Sequence, residues 1–147
     1  MDEGKIKEYI LETFAGVNEI KDEGDSFFFY DTENRIPFVT IVSSDKYDSH
    51  SDLNRAGVYR LNIGTGKNVF REMFSVEKIP TEGGYDFSEL DVVMPHPEYG
   101  RVYWICVLNP SDATFEKIKL LLADAYDLAV RKHNAASKTK ADISSNR

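Results

Sequence analysis

Between Phe27 and Asn109 four short runs read as β-strands, and only one short helix separates any of them; the long amphipathic helices lie at the chain's two ends. A parallel pair of strands needs a crossover of a dozen or more residues, usually a helix. With so few crossovers the order excludes a doubly wound parallel sheet. It predicts an α+β fold, with a mixed or mainly antiparallel sheet and the N-terminal and long C-terminal helices packed on one face.

The first helix is predicted from Ile6, Tyr9, Ile10, Thr13 and Phe14, which recur on one helical face, with Asp2 as its cap and Gly16 at its end. Strands are predicted over Phe27–Tyr30, Pro37–Ser43, Val58–Gly64 and Arg101–Asn109, the first two joined through a turn at 31–34. Gly64-Thr65-Gly66 leads into a short helix, Asn68–Phe74. The stretch 75–85, with Pro80 and Gly83-Gly84, reads as a surface loop. Phe87–Met94 reads as one or two helical turns capped by Ser88 and stopped by Pro95 and Pro97. The last helix, Ala113–His133, carries Phe115, Ile118, Leu121, Leu122, Ala125, Leu128 and Ala129 as one apolar stripe. Residues 1–134 form a single domain in this reading, and 135–147, with Ile143 as the one large apolar residue, form a disordered tail.

Charge and composition narrow the function. The 147 residues carry a net charge of −7, and the tail is itself basic, so the body is more acidic still. Phosphate backbones are bound chiefly through Lys and Arg, which disfavours nucleic acid as a partner. No apolar run approaches a membrane span, no leader pattern opens the chain, and the single cysteine, Cys106, forms no internal disulfide. These features predict a cytoplasmic protein.

Familiar chemical motifs are absent or incomplete. Gly64-Thr65-Gly66-Lys67-Asn68 lacks the first glycine of a phosphate loop and has Asn after the Lys, so it reads as a turn. Asp48, His50 and Asp52 alternate, and in an extended segment all three would face one way, as weak candidates for a divalent ion. The plainer reading is a solvated acidic loop containing a histidine, and no metal and no cofactor are assigned. Cys106 sits between Ile105 and Val107 as a small buried hydrophobe. No nucleophile elbow is present.

Strand parity is more informative. Tyr59, Leu61 and Ile63 share one side of their strand, leaving Arg60 and Asn62 on the other. The run Arg101–Asn109 is apolar on both sides, with Val102, Trp104, Cys106 and Leu108 together. A strand apolar on both faces is covered on both, by protein, partner or ligand. Just before it, Pro95 and Pro97 hold His96 rigidly. If these strands are neighbours, Arg60, Asn62, His96 and Trp104 converge as a ligand-binding site. The plainer alternative is that Arg60 pairs with an acid such as Asp52 while Trp104 fills the core.

The segments Phe27-Phe28-Phe29-Tyr30-Asp31, Arg35-x-Pro37-Phe38-x-Thr40-Ile41-Val42, Ser51-Asp52-Leu53-x-Arg55-x-Gly57-Val58-x-Arg60-Leu61-Asn62-Ile63-Gly64, Pro95-His96-Pro97-x-Tyr99, Trp104 and Leu108-Asn109-Pro110 together resemble a family of small bacterial proteins known as a domain of unknown function. The likeness spans about residues 5–133. More distantly, the final strand and long helix resemble the MmcQ/YjbR-like proteins, which implies one antiparallel sheet with helices and, by that analogy, DNA binding. Neither likeness supplies a substrate, cofactor or catalytic residue. The residues themselves favour a non-enzymatic module that binds an anionic small molecule or a protein partner, a homodimer included. The alternative is a small enzyme with His96 as acid-base and Arg60 as anion clamp, and the third reading is nucleic-acid binding.

Overall fold

A computed structural model of the chain describes residues 1–31, 36–74 and 84–145. Helix α1 spans Glu3–Thr13, and the Asp2 carboxylate accepts from Gly4 N and Lys5 N at 2.7 and 3.3 Å, satisfying two of its free amides. The chain turns at Gly16, whose φ is +79°, into strand β1, Val17–Asp22. Strand β2, Asp25–Tyr30, follows through Glu23 and Gly24, both with positive φ, as a tight two-residue hairpin requires. β3 is Val39–Val42 and β4 is Arg60–Gly64, followed by helix α2, Lys67–Phe74. A two-residue strand β5, Met94–Pro95, precedes a 3₁₀ turn at Tyr99–Val102 and strand β6, Trp104–Leu108. Helix α3, Asp112–Ser145, closes the described chain.

The fold is α+β, as the element order predicts. Six strands form one sheet in the order β1-β2-β3-β4-β6-β5, with every named pair antiparallel. Several elements differ from the sequence reading. β1 is an edge strand of mostly exposed polar residues, VNEIKD, so it has no apolar alternation to announce it. Phe87–Met94 is not helical. It runs alongside β6, bridging through Leu90 to Leu108 and pairing at Met94, where its backbone groups find partners. The strand expected from Arg101 begins only at Trp104, because residues 99–102 coil and Tyr103 takes a left-handed φ of +73°. α3 continues through Ser145 across residues placed in a disordered tail. Neither Gly nor Pro follows Asn134, and Ala135, Ala136, Lys138, Lys140 and Ala141 are good helix formers. The turn expected at 32–34 and most of the loop at 75–85 lie outside the described residues.

Register sorts the side chains into two faces. Phe28, Val39, Ile63 and Ile105 form one cross-strand row, with Ile41, Leu61 and Val107 beside it. This face is sealed by Ile6 and Ile10 of α1 and by Phe115, Ile118, Leu122 and Ala125 of α3, all buried in one cluster. The opposite face carries the row Phe27, Thr40, Asn62, Cys106 and Met94, with Val42, Arg60 and Leu108 next to it. Among the described residues no helix seals that side at the centre. Loop 43–57 covers part of it, anchored by Leu53 against Val42 and Leu108.

Candidate functional site

Parity on β4 places Arg60 and Asn62 on the face away from the helices, and burial makes their polar atoms find partners. Asn62 accepts from Arg60 Nε at 2.9 Å and donates to Thr40 Oγ1 on β3 at 3.0 Å. Loop 43–57 supplies the rest. Its shape is fixed by Asp45, which accepts from Leu53 N, by Asn54, which accepts from Asp45 N, and by Arg55, which donates to Ser88 O. That conformation lowers Asp48 and Ser51 onto Arg60. Nη1 donates to Asp48 Oδ1 at 3.0 Å and Ser51 Oγ at 2.8 Å, and Nη2 donates to Asp48 Oδ2 at 2.7 Å.

Arg60 and Asp48 are therefore a bidentate ion pair with side chains only 2% and 4% exposed. Burial by itself raises the Asp48 pKa, but the hydrogen bonds and charge of Arg60 outweigh it and hold the carboxyl below its usual range. The acid that pairs with Arg60 is Asp48; Asp52 lies exposed with φ +51° and faces Arg55 instead.

His96 follows β5 and is held by its own turn. Its N–H donates to Trp104 O at 2.9 Å, and its Nδ1 accepts from Glu98 N at 3.1 Å and Tyr99 N at 3.0 Å. Nε2 lies 3.3 Å from Arg60 Nη2. Burial, then the Arg60 charge, lowers the His96 pKa to about 3, so the ring is neutral at physiological pH. Trp104 packs closely against Gly64, where an added Cβ would come within 2.9 Å of the indole. Only glycine lets the ring lie there.

Arg60, Asn62, His96 and Trp104 all line one cavity of about 330 Å³. Asp48 joins them on its floor, while Phe27, Val42, Tyr47, Tyr99 and Trp104 supply much of its wall. Ile36, Tyr47, Tyr99 and Val102 at its margin are 77%, 48%, 50% and 55% exposed, an unusual concentration of apolar surface around one opening. Sequence reasoning missed Ser51 and, Trp104 apart, the aromatic wall. Phe27 sits in a run whose face cannot be assigned without register, and Tyr47 and Tyr99 lie in loops where periodicity is silent.

A family model matches residues 1–138. The chain belongs to the DUF6194 family, a family of unknown function. No curated protein and no solved structure matches it, and no link to the MmcQ/YjbR-like proteins is shown.

In this DUF6194 protein the three weak metal candidates part company. Asp48 is taken by Arg60, His50 faces Glu98 at 3.5 Å, and Asp52 turns to Arg55. Among the described residues no group of three His, Cys, Asp or Glu is arranged to hold a metal ion. Cys106 lies beneath the cavity floor with its Sγ 3.7 Å from Pro95 O, and burial pushes its thiol up to about 12. A thiol so held is unreactive at neutral pH. Thr65 of the glycine turn donates to Tyr103 O, tying the start of α2 to the segment before β6. No described helix is long and apolar enough to cross a membrane.

Proposed function

We propose that this DUF6194 protein is a small-molecule-binding module whose ligand occupies the cavity on the open face of the sheet. The observation that carries this reading is the combination of an aromatic wall with a small set of ordered polar groups at the bottom. Small-ligand pockets have that composition, and about 330 Å³ falls at the lower end of their usual volumes. Because the Arg60 charge is already paired with Asp48, the floor offers no free cation. The pocket thus suits a flat, mainly apolar molecule better than the anion suggested by Arg60 alone.

The enzymatic alternative asks His96 to exchange protons. A ring neutral down to about pH 3, with Nδ1 taken by two backbone amides, is far from the poise an acid-base catalyst needs at neutral pH. Geometry favours binding over that chemistry. Trp104 is the chain's single tryptophan, so its indole N–H gives one resonance at the pocket wall. A panel of planar aromatic fragments should include members that shift this resonance saturably. Val102→Asp, at an exposed margin position, should weaken them about tenfold or more while leaving the fold intact. A panel without a saturable shift, or binding indifferent to Val102→Asp, would refute the reading.

A further inference from the structure

Resting on the pocket reading, we infer that the cavity selects a ligand with a neutral acceptor oxygen, of the carbonyl or carboxamide kind, placed against two converging donors, His96 Nε2–H and Arg60 Nη2–H. The inference follows from counting protons. Neutral imidazole has one donor and one acceptor nitrogen. His96 Nδ1 accepts from two backbone amides, at 3.1 and 3.0 Å, so the ring proton resides on Nε2. Arg60 has five N–H groups and no acceptor. Asn62, Ser51 and the two oxygens of Asp48 take four of them. The fifth, on Nη2, is directed at His96 Nε2 across 3.3 Å. With the ring proton on Nε2, neither that N–H nor the fifth N–H of Arg60 has an acceptor in this contact, on residues each 2% exposed and both lining the cavity.

A buried donor left unsatisfied is costly, and one acceptor oxygen approaching from the cavity satisfies both. The surrounding charges decide what kind of oxygen. Arg60 is neutralised by Asp48, His96 is neutral, and Glu98, which also lines the cavity, adds a negative charge. A carboxylate entering there gains no unpaired cation and meets the charge of Glu98; a neutral carbonyl oxygen takes the same donors without that repulsion. The aromatic wall of Phe27, Tyr47, Tyr99 and Trp104 accepts the planar body to which that carbonyl is attached.

Two measurements on the full chain test this. A long-range ¹⁵N spectrum of the histidine rings reads the His96 tautomer, and titrations with benzamide, benzoate and toluene follow the Trp104 indole resonance. The expected result is a protonated Nε2 with bare Nδ1, and benzamide binding at least about tenfold more tightly than either relative. A proton on Nδ1 overturns the paired-donor seat whatever binds. Benzoate or toluene binding as tightly as benzamide overturns the carbonyl preference and leaves the pocket reading standing. If none of the three moves the indole resonance, pocket and preference fall together.

Discussion

Leu61 and Arg60 are sequence neighbours on opposite sides of β4, and their surroundings differ in kind. Leu61 is sealed in a cluster with α1 and α3, where packing is apolar and adaptable. Arg60 is equally buried, but by a loop, a rigid histidine turn and an ion pair that demand particular partners. An apolar face can be closed by any helix with a matching stripe. A face bearing a guanidinium closes only where each donor meets an acceptor. The first face is closed into one apolar cluster, and the second leaves a cavity.

The sharpest way to break this comparison is to unbalance the polar face. Arg60→Met strands the Asp48 carboxylate with little access to water and should cost about 3–5 kcal/mol. Adding Asp48→Asn should recover part of that loss, because a neutral amide tolerates burial better than a charge. Urea unfolding of wild type, both single variants and the double variant measures both; a double-variant loss equal to the sum of the two single losses would mean that the pair is not coupled.

On the apolar face, Leu122→Ala should cost about 2–5 kcal/mol through transfer loss and the cavity left behind. A loss below about 0.5 kcal/mol in chemical denaturation would show that the α3 stripe is not core.

These two expectations were not equally legible in the sequence. Leu122 follows from helical periodicity, and the opposed sides of Leu61 and Arg60 follow from the period-two alternation of a strand, both local rules. Pairing of β4 with β6, which brings Trp104 near Asn62, stayed a condition in the sequence reading, because few crossovers favour antiparallel strands without fixing their order. Asp48 as the partner of Arg60 was not foreseeable. That contact depends on the path of loop 43–57, which is set by Asp45, Asn54 and Leu53 through contacts no periodicity encodes. β1 was hidden for a different reason: an exposed edge strand with a hairpin through Glu23-Gly24 has no burial pattern to betray it. α3 outran its predicted end because helix propensity sustained it after the apolar stripe had stopped.

Acid should also distinguish the faces. His96 has a folded pKa of about 3 against an ordinary 6.5, so below pH 6.5 the unfolded chain binds a proton that the folded one refuses. Its stabilisation is full above pH 6.5 and declines as pH falls toward 3, by at most about 1.4 kcal/mol per pH unit. Asp48, lowered from 3.8, keeps its contribution above that value and loses it at more acid pH. Unfolding free energies between pH 7.5 and 4.5 should therefore slope more steeply in wild type than in His96→Gln; parallel curves would contradict the assignment.

The smallest effect belongs at the C-terminus. Ala135, Ala136 and Ser137 are exposed, and the sequence beyond them carries no apolar stripe. Ending the chain after Ala135 should move the thermal midpoint by less than about 2 °C. A shift of many degrees in a calorimetric scan would place part of the stabilising core in that segment.

The two-faced account is tested most directly by a methyl ¹³C–¹H spectrum of the full chain, recorded as a planar aromatic carboxamide is titrated to saturation. The account predicts saturable shifts at Val42 and Val102, which line the cavity, and little change at Ile10, Ile63, Ile118 and Leu122, which lie in the cluster between sheet and helices. Shifts concentrated on the helix-covered methyls, or none at Val42 and Val102, would contradict it.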